Sequence, residues 1–370
     1  MGWWAVAVAL VMRRRAGIRR PPVDDPRKLS IFKPLPSLAA DDSPARLAAA
    51  LESFVCQLDD RAELLLGIEE QDGPRWRAVL NGWLVQYPAA GVKVICVPRP
   101  AQFLSPKVSW FYTLARQATG DLWMWSDADM VLPAGGLRAL RDEFAASGCA
   151  LLTTPYIVRK VTQAAMLLEA LFADVEFYPG VLACRQFGSV RFAMGAGMMF
   201  DAKMFREKVA WEKLGCRLAD DNALGGTLSP VRVSDLTLET LAASARWRDA
   251  AQHYLRWHKT VRWCRPSGYA GELLIVPVLG WLGFAMVVPG SLTAWLGLAA
   301  TMQMEVLAAW LLCRSAGCRI RGRHIPAVEV WSLLRALTWL ACWLPWPVVF
   351  RSQKRIWWGL YRSAAIGGNG

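Results

Sequence analysis

The sequence predicts an α/β domain followed by transmembrane or interfacial helices. Short apolar runs alternate with helical segments through the first third of the chain, acidic pairs follow such runs, and long uncharged stretches come after residue 265. The chain has 370 residues, 54% of them hydrophobic, and a mean hydropathy of +0.23. These values exceed what is usual for a soluble domain. We therefore expect one folded α/β domain and a membrane region.

Residues 1–26 are predicted to form a short apolar segment and a linker. Residues 3–12 are apolar and are followed by Arg13, Arg14 and Arg15. A helix needs about 20 apolar residues to cross the hydrocarbon core, so this run is too short by itself. We interpret it as the remnant of an N-terminal anchor or as an interfacial segment. The proline-rich stretch Pro21–Pro26 is typical of a linker.

Residues 27–265 are predicted to form the α/β domain. A helix is expected to begin at Asp42–Pro44, with Ser43 as its cap. Repeated strand–helix–strand units indicate a largely parallel sheet with helices on both faces, whose ligands bind beyond the carboxyl ends of the strands. The predicted strands cover residues 29–32, 64–68, 92–97 and 122–126, and further helices cover residues 74–85, 108–117 and 241–263.

Two carboxylates, Asp127 and Asp129, follow the apolar run Leu122–Trp125. Alternate residues of an extended segment point the same way. Magnesium is commonly held by one or two carboxylates together with phosphate oxygens. We therefore predict a divalent-metal site (Mg²⁺ or Mn²⁺) that serves the diphosphate of a nucleotide sugar. An isolated match of this kind is more often a solvated turn, and the position after a buried strand favours the metal site.

A second acidic pair, Asp220 and Asp221, is predicted to supply a catalytic base. A transfer that attacks a sugar from the face opposite its leaving group needs a base near the acceptor hydroxyl, and a positioned carboxylate is suitable. The alternative is a helix N-terminal cap, a place that aspartate favours.

The segment containing His253, Arg256 and Trp257 is predicted to lie on a helix. There His253 shares one face with Arg256, and Trp257 lies one turn beyond His253. Arginine presents a rigid fork to phosphate oxygens, and tryptophan presents a flat apolar wall to an acceptor. The alternative is a face beside the membrane whose long basic side chains reach toward water.

Four further side chains are predicted to bind the nucleotide. Lys107 begins a helix, where a cation and free backbone N–H groups together suit a phosphate. Lys33 ends the first strand, and Glu70 and Asp72 follow the second, where they could contact a uracil or a ribose. Each of these residues alone is more often a solvated charge.

The membrane region is predicted to span residues 266–350. Leu273–Met304 carries no charged residue, and the apolar character resumes after Glu305. We expect two crossings that are separated near Pro289–Ser291. The shorter run 336–350 is expected to be re-entrant or interfacial, and a third crossing is the alternative. The basic tail, residues 351–370, is expected on the cytoplasmic side, as the positive-inside rule requires.

The net charge of +13 is interpreted as affinity for an anionic membrane surface. Basic residues stand next to apolar stretches rather than on one soluble face, which argues against a nucleic-acid partner. The 20 tryptophans are expected to favour the membrane interface.

A series of short motifs runs in order from about Ser30 to Arg355. In order and spacing it resembles the ceramide glucosyltransferase family and its bacterial relatives, including hopanoid-pathway glycosyltransferases, whose signature is D, D, D, (Q/R)xxRW. The motifs are Phe32–Leu35 (KPL), Ile68–Pro74 (the first aspartate site), Pro106–Val108 (NPKV), Ser126–Asp129 (the second site), Phe192–Met198 (the donor-loop glycines), Leu218–Asp221 (LA(E/D)D), Arg256–Trp257 and, loosely, Phe350–Ser352 (WRG).

The resemblance implies a GT-A fold, which is a Rossmann-like domain that binds a nucleotide sugar. It implies an inverting, membrane-bound transferase that uses UDP-glucose or UDP-N-acetylglucosamine and a divalent metal, with Asp221 as the base. The implied acceptor is the hydroxyl of a membrane lipid, ceramide first and a hopanoid second. His253 stands where the signature has Gln or Arg. A multi-pass protein of a bacterial inner membrane, with its catalytic domain in the cytoplasm, is the expected setting.

A non-catalytic membrane protein that binds a lipid or a partner is the alternative from another class. The intact carboxylates Asp127, Asp129 and Asp221 argue against it. The sequence indicates no oligomeric state.

Overall fold

The computed structural model describes residues 2–15, 23, 25–38, 44–158, 161, 163–188, 190–241, 246–272, 277–316, 325–350, 355–357, 359–361 and 363–365. The strands are β1 (Leu29–Pro34), β2 (Ala62–Glu69), β3 (Gly91–Val97), β4 (Leu122–Trp125), β5 (Met130–Val131), β6 (Leu151–Thr153), β7 (Tyr156–Val158), β8 (Met198–Asp201), β9 (Val231–Val233), β10 (Leu238–Thr240), β11 (Val348–Phe350), β12 (Arg355–Trp357) and β13 (Ser363–Ala365).

The helices are distributed along the whole chain. They are α1 (Gly2–Arg15), α2 (Ala45–Val55), α3 (Gly73–Gln86), α4 (Pro106–Ala115), α5 (Gly136–Ser147), α6 (Ala164–Ala170), α7 (Tyr178–Phe187), α8 (Ala202–Lys208), α9 (Trp211–Gly215), α10 (Asp220–Thr227), α11 (Trp247–Cys264), α12 (Pro266–Gly271), α13 (Pro277–Val287), α14 (Leu292–Ala316) and α15 (Ile325–Ala341). A π-helical segment, Leu171–Phe177, joins α6 to α7, and a 3₁₀ turn covers Glu70–Asp72.

The main sheet has the strand order β3-β2-β1-β4-β8-β6-β9. Strands β3, β2, β1 and β4 are mutually parallel, and β8 runs antiparallel to both β4 and β6. The predicted strand–helix alternation through residue 126 is confirmed, with ends that shift by a few residues. The sheet is mixed because β8 enters it in the reverse direction. This arrangement is an α/β fold of the GT-A type, as predicted.

Two apolar cores cover the two faces of this sheet. One contains Leu64, Leu66 and side chains of α2, α3 and α5. The other is largely aromatic, and its Phe111 ring stacks on Trp125 with a centroid distance of 4.1 Å. The burial of both faces explains why these strands are nearly continuous apolar runs. Several tryptophans, among them Trp76 and Trp123, are therefore core residues. The expectation that tryptophans mark the interface is wrong for them.

A second, three-stranded sheet lies beside the predicted metal-binding loop. Its order is β5-β10-β7, and β10 pairs antiparallel with β5 and parallel with β7. Thr240 of β10 pairs with Met130, which follows Asp129 directly. This pairing fixes the chain at the end of β4.

A third core joins the N-terminal segment to the later helices. Trp4, Ala7 and Val11 of α1 are buried together with side chains of the π-helical segment, α11, α14 and α15. The short apolar N-terminal segment is thus a helix packed against α14. The predicted helix start at Asp42 and Ser43 lies outside the described residues, as do residues 242–245 at the start of the predicted helix 241–263.

Within the described residues, one helix is long and apolar enough to cross a membrane, namely Leu292–Ser315. The predicted break near Pro289–Ser291 is present between α13 and α14. The described part of α13 has 11 residues, so the first of the two expected crossings stays a prediction. Glu305 does not interrupt α14, because its carboxylate is buried beside Arg335.

The run 336–350 is not one helix. Helix α15 ends at Ala341, and the chain then turns into β11. A third crossing as a single helix over this run is therefore excluded. Its predicted re-entrant or interfacial placement stays a prediction.

Candidate active site

One cavity of about 1060 Å³ brings together predicted site residues from distant parts of the chain. It has two parts. The strand-end region contains Lys107, Asp127, Gly195 and Asp221, and the helical region contains side chains of the π-helical segment, α11, α12 and α15. Seven predicted site residues line the cavity: Lys107, Asp127, Asp129, Asp221, His253, Arg256 and Trp257.

Two hydrogen bonds to backbone carbonyls hold the loop after β4. The amide of Asp127 donates to the carbonyl of Gly195 at 3.2 Å. The hydroxyl of Ser126 donates to the carbonyl of Ala196 at 2.6 Å. These bonds fix the acidic loop against the loop before β8, so the carboxylate of Asp127 has a defined position at the sheet edge.

Lys107 pairs directly with Asp127, its Nζ lying 2.6 Å from Oδ1. Helix α4 presents this lysine in its first turn, after the cap Ser105 and after Pro106. The helix lies close to the sheet because Trp110 packs on Gly67, where a Cβ would stand 2.5 Å from the indole. Only glycine permits that approach.

The pKa of Lys107 is raised. Burial disfavours the ammonium, but the carboxylates of Asp127, Asp220 and Asp221 together outweigh it. The lysine is therefore a permanent cation in the strand-end region.

Asp221 lies in the first turn of α10 and is oriented by two backbone amides. Oδ2 accepts from the amide of Gly195 at 3.0 Å, and Oδ1 accepts from the amide of Asn222 at 2.7 Å. Burial and the neighbouring Asp220 raise its pKa to about 6, against the opposing effect of Lys107. A carboxylate in this state is poised to accept a proton near neutral pH.

Gly195 lies between these charged groups. A Cβ at this position would be 2.8 Å from Lys107 Nζ, 3.2 Å from Asp127 Oδ2 and 3.5 Å from Asp221 Oδ2. The two carboxylates that were predicted as metal ligand and base therefore approach one point of the backbone. Glycine keeps that point open.

Asp129 has a different environment from Asp127. Its Oδ2 accepts from the hydroxyl of Thr240 at 2.9 Å. Burial and the charge of Asp127 raise its pKa, while Thr240 and Lys33 oppose the shift.

The residues of this site can bind a divalent cation only when a bound phosphate supplies further oxygen ligands. The described residues contain no group of three or more His, Cys, Asp or Glu side chains arranged to hold a metal. Asp127 and Asp129 offer two carboxylates, which is what magnesium uses when phosphate oxygens complete its coordination. The site therefore fits a metal that arrives with a diphosphate.

In the helical region, side chains hold one another. Nδ1 of His253 lies 2.8 Å from Oε1 of Glu169, and its ring lies 3.7 Å from that of Trp257. Trp257 in turn stacks on Phe172 with a centroid distance of 4.5 Å. Burial and then the charge of Arg256 lower the pKa of His253, against the opposing effect of Glu169. A neutral imidazole is thus favoured.

Arg256 lines the same cavity. Burial lowers its pKa to about 10, although Glu169, Tyr156 and Asp127 favour the charged form. It therefore remains a cation at neutral pH and belongs to the same electrostatic environment as Asp127.

Four predicted site residues do not line the cavity. Lys33 is 0% exposed, and its Nζ donates to the carbonyl of Asp127 at 2.7 Å. It therefore stabilises the acidic loop without facing the cavity. Asp220 is buried and does not line the cavity. Glu70 is exposed outside the cavity, and the buried Asp72 accepts from the amide of Leu38 at 3.1 Å. Direct contact of Lys33 with a nucleotide, as expected from the sequence, does not agree with its burial.

Glu69 lines the cavity where Glu70 was expected. Strand β2 continues to Glu69, so the next residue already belongs to the 3₁₀ turn and points elsewhere. The Glu69 carboxylate accepts from the hydroxyl of Ser37 at 2.5 Å.

Sequence analysis missed the acidic residues of the helical region. Glu169, Asp174 and Glu176 lie on α6 and the π-helical segment. The sequence did contain a signal, namely three carboxylates in an otherwise apolar stretch. Such a stretch is buried in the fold, and buried charges require partners, so these carboxylates indicate a polar cluster.

Comparison with solved structures finds several glycosyltransferases at low similarity. The mannosyltransferase PcManGT from Pyrobaculum calidifontis, solved with GDP-Man and Mn²⁺, has a TM-score of 0.47 and 16% identity over 91% of this chain and 99% of that chain. TarS residues 1–349 from S. aureus gives 0.40 and 11% over 85% and 90%. Glucosyl-3-phosphoglycerate synthase from Mycobacterium tuberculosis, solved with Mn²⁺ and UDP-Glc, gives 0.36 and 13% over 69% and 82%. At these scores nothing follows for the activity of this chain.

A search of curated proteins finds no match. The model of the glycosyl transferase family 21 matches residues 1–358, which is nearly the whole chain. The acidic loop, the glycine loop and the acidic pair that meet in the cavity are the motifs on which the resemblance rested. The chain belongs to glycosyl transferase family 21, the ceramide glucosyltransferase family, and is a sugar-transferring enzyme.

Proposed function

We propose that this protein is a membrane-bound inverting hexosyltransferase that transfers a sugar from a UDP-sugar to the hydroxyl of a membrane lipid. The observation that carries the proposal is the meeting of Asp127, Lys107 and Asp221 around Gly195, in a cavity that Arg256 also lines. The cations that would bind a diphosphate therefore line the same cavity as the carboxylate that would act as the base.

The donor diphosphate is assigned to the strand-end region. Lys107 and Arg256 supply fixed positive charge for its oxygens. Asp127 and Asp129 would hold a divalent cation, which, when bound, neutralises the charge that develops on the departing UDP. Ser37 and Glu69, at the ends of β1 and β2, extend the cavity on the side expected for the nucleoside.

Asp221 is assigned as the base. Its carboxylate takes the proton of the acceptor hydroxyl while the acceptor oxygen bonds to the anomeric carbon. The bond between that carbon and the β-phosphate oxygen breaks, and UDP leaves from the opposite face. The two backbone amides orient the carboxylate, and burial keeps it basic enough to react.

A membrane setting is supported by the apolar exterior of the late helices. Met286 of α13 is 82% exposed, Leu292 of α14 is 69% exposed and Val330 of α15 is 64% exposed. Monomeric soluble proteins rarely expose large contiguous apolar patches. We assign this surface to the bilayer. The protein would then be a multi-pass protein of a bacterial inner membrane, with its cavity on the cytoplasmic side.

Ceramide is the acceptor we favour, because the chain belongs to glycosyl transferase family 21, the ceramide glucosyltransferase family. Transfer of N-acetylglucosamine to a hopanoid is the second candidate. A non-catalytic lipid-binding or partner-binding protein is disfavoured, because a buried base with a raised pKa beside paired cations has no evident use in simple binding.

Comparative mass spectrometry of lipids tests the proposal. Cells with and without this chain should differ by one lipid class whose mass exceeds that of its precursor by one hexose or one N-acetylhexosamine. The same cells expressing Asp221→Asn are the control and should lack the product. An unchanged lipid profile in cells that contain the folded protein would reject the proposal.

A further inference from the structure

The more accessible of the two carboxylates assigned to the metal is already paired with a cation of the chain itself. Nζ of Lys107 lies 2.6 Å from Oδ1 of Asp127, which is a short, charge-assisted contact. An ammonium and a divalent cation both bind carboxylate oxygens, so a metal on Asp127 would be repelled by the charge of Lys107. The ion pair therefore opposes metal binding in the protein without a nucleotide.

The ammonium of Lys107 compensates more negative charge than that of Asp127 alone. Asp220 and Asp221 also attract it. A Cβ on Gly195 would be 2.8 Å from Nζ and 3.5 Å from Oδ2 of Asp221, so the ammonium and the assigned base face the same point of the backbone. Removal of Lys107 would leave the charge of these carboxylates uncompensated, which favours a divalent cation.

Asp129 does not offer a metal site that is independent of Asp127. Its Oδ2 accepts from the hydroxyl of Thr240 at 2.9 Å, and burial and the charge of Asp127 raise its pKa. In the described part of the chain, no third His, Cys, Asp or Glu side chain joins the two to complete a metal site. Binding of a divalent cation to this loop therefore needs the oxygen that Lys107 contacts.

The side chain of Lys107 has room to change its partner. It is 23% exposed and lines the cavity to which the donor diphosphate is assigned. Lysine carries a compact charge on a flexible four-carbon stem, so Nζ can move from Asp127 to a phosphate oxygen while the backbone stays in place. Helix α4 itself is held by the packing of Trp110 on Gly67.

We propose that Lys107 blocks Asp127 until the diphosphate of the donor enters the cavity. The phosphate oxygens then bind the ammonium, and the carboxylate of Asp127 becomes available to a divalent cation. Nucleotide and metal are therefore coupled, and each raises the affinity for the other by the same factor. This inference rests on the proposed function, because it concerns the donor site assigned there, and it identifies the side chain that prevents metal binding in the absence of the donor.

Binding of Mn²⁺ to the full chain in detergent micelles tests the proposal without any acceptor lipid. Free Mn²⁺ is measured by electron paramagnetic resonance with and without UDP, after correction for the Mn²⁺–UDP complex that forms in buffer alone. A pH of about 8 keeps the acidic side chains ionised. We expect UDP to raise the affinity of the wild type for Mn²⁺ by about 10- to 100-fold, a usual coupling between two sites. Equal affinity with and without UDP would overturn the inference.

Lys107→Met is the most informative variant, because damage to the fold does not produce a gain of binding. Methionine has a similar length and no charge, so Asp127 is available even without a nucleotide. Without UDP, this variant should bind Mn²⁺ at least about 10-fold more tightly than the wild type, since the neighbouring ammonium is gone. Lys107→Arg retains the charge and should bind Mn²⁺ as weakly as the wild type. No gain in Lys107→Met would show that Lys107 does not block the site.

Arg256→Met is the matched control. Arg256 lines the same cavity and its charge interacts with Asp127, but the ion pair of Asp127 is with Lys107. Its loss should change the affinity for Mn²⁺ without UDP by less than about 3-fold, because a more distant charge acts more weakly. An equal gain in both variants would show that only the net charge of the cavity matters, and the inference would fail. If calorimetry finds no binding of UDP to the folded wild type, the proposed function itself fails, and this inference fails with it.

Discussion

The two regions of the cavity hold their side chains in different ways. In the strand-end region, the backbone amides of Gly195 and Asn222 orient the Asp221 carboxylate, and the carbonyl of Gly195 accepts from the amide of Asp127. In the helical region, side chains orient one another, as His253 does with Glu169 and Trp257 with Phe172. Substitutions in the first region should therefore remove chemistry with little loss of stability. Substitutions in the second should affect acceptor binding and packing together.

Asp221→Asn is the strongest test of this difference. Asparagine keeps the shape, but its single amide oxygen can accept from only one of the backbone amides of Gly195 and Asn222, and it cannot take a proton. We expect kcat to fall by about 10²- to 10⁴-fold, the usual contribution of a general base. UDP binding, measured by calorimetry, should change little, and the melting temperature should fall by a few degrees because one backbone amide loses its acceptor. Normal transfer by this variant would refute the assignment of the base.

The pH profile sharpens the same assignment. A base must be deprotonated to act, and the pKa of Asp221 is raised to about 6, so kcat/KM should fall as the pH drops through that value. Asp220→Asn removes the neighbouring negative charge that helps to raise this pKa. The acid limb of the profile should therefore move to lower pH. A shift in the opposite direction, or none, would show that Asp221 does not set this limb.

Asp127→Asn is expected to have the next largest effect. It removes the partner of Lys107 and one of the two carboxylates assigned to the metal. UDP binding in the presence of Mn²⁺ should weaken by about 10- to 100-fold, as expected for the loss of a charge-assisted contact. Binding in the presence of a chelator should change much less. Equal metal dependence in variant and wild type would mean that Asp127 is only structural.

His253→Gln should have the smallest effect. Glutamine retains a donor for Glu169 but loses the ring that packs against Trp257. We expect an increase of about 2- to 5-fold in acceptor KM and a lower melting temperature, consistent with the loss of one aromatic contact. The KM for the UDP-sugar should remain unchanged. A large loss of kcat alone would instead place His253 at the reacting atoms.

Much of the strand-end region was predictable because local rules decide it. Asp127 follows a strand whose apolar run is buried on both faces, and ligands of such sheets bind at strand ends. Lys107 begins a helix after a serine cap and a proline, which is a readable start signal. The prediction of Glu70 was wrong by one position. Strand β2 continues to Glu69, and it is Glu69 that lines the cavity.

The sequence by itself determined the alternation of elements, the acidic motifs, the break at Pro289 and the family, since each depends on residues close together in the chain. Only the tertiary structure decided that Lys33 lies beneath the acidic loop instead of inside the cavity. It alone also placed Glu176 beside His258 and Arg335, which are far apart in the sequence. The physical reason is that a buried charge is stabilised by partners from other elements, and the local pattern of a sequence does not specify which elements will pack together.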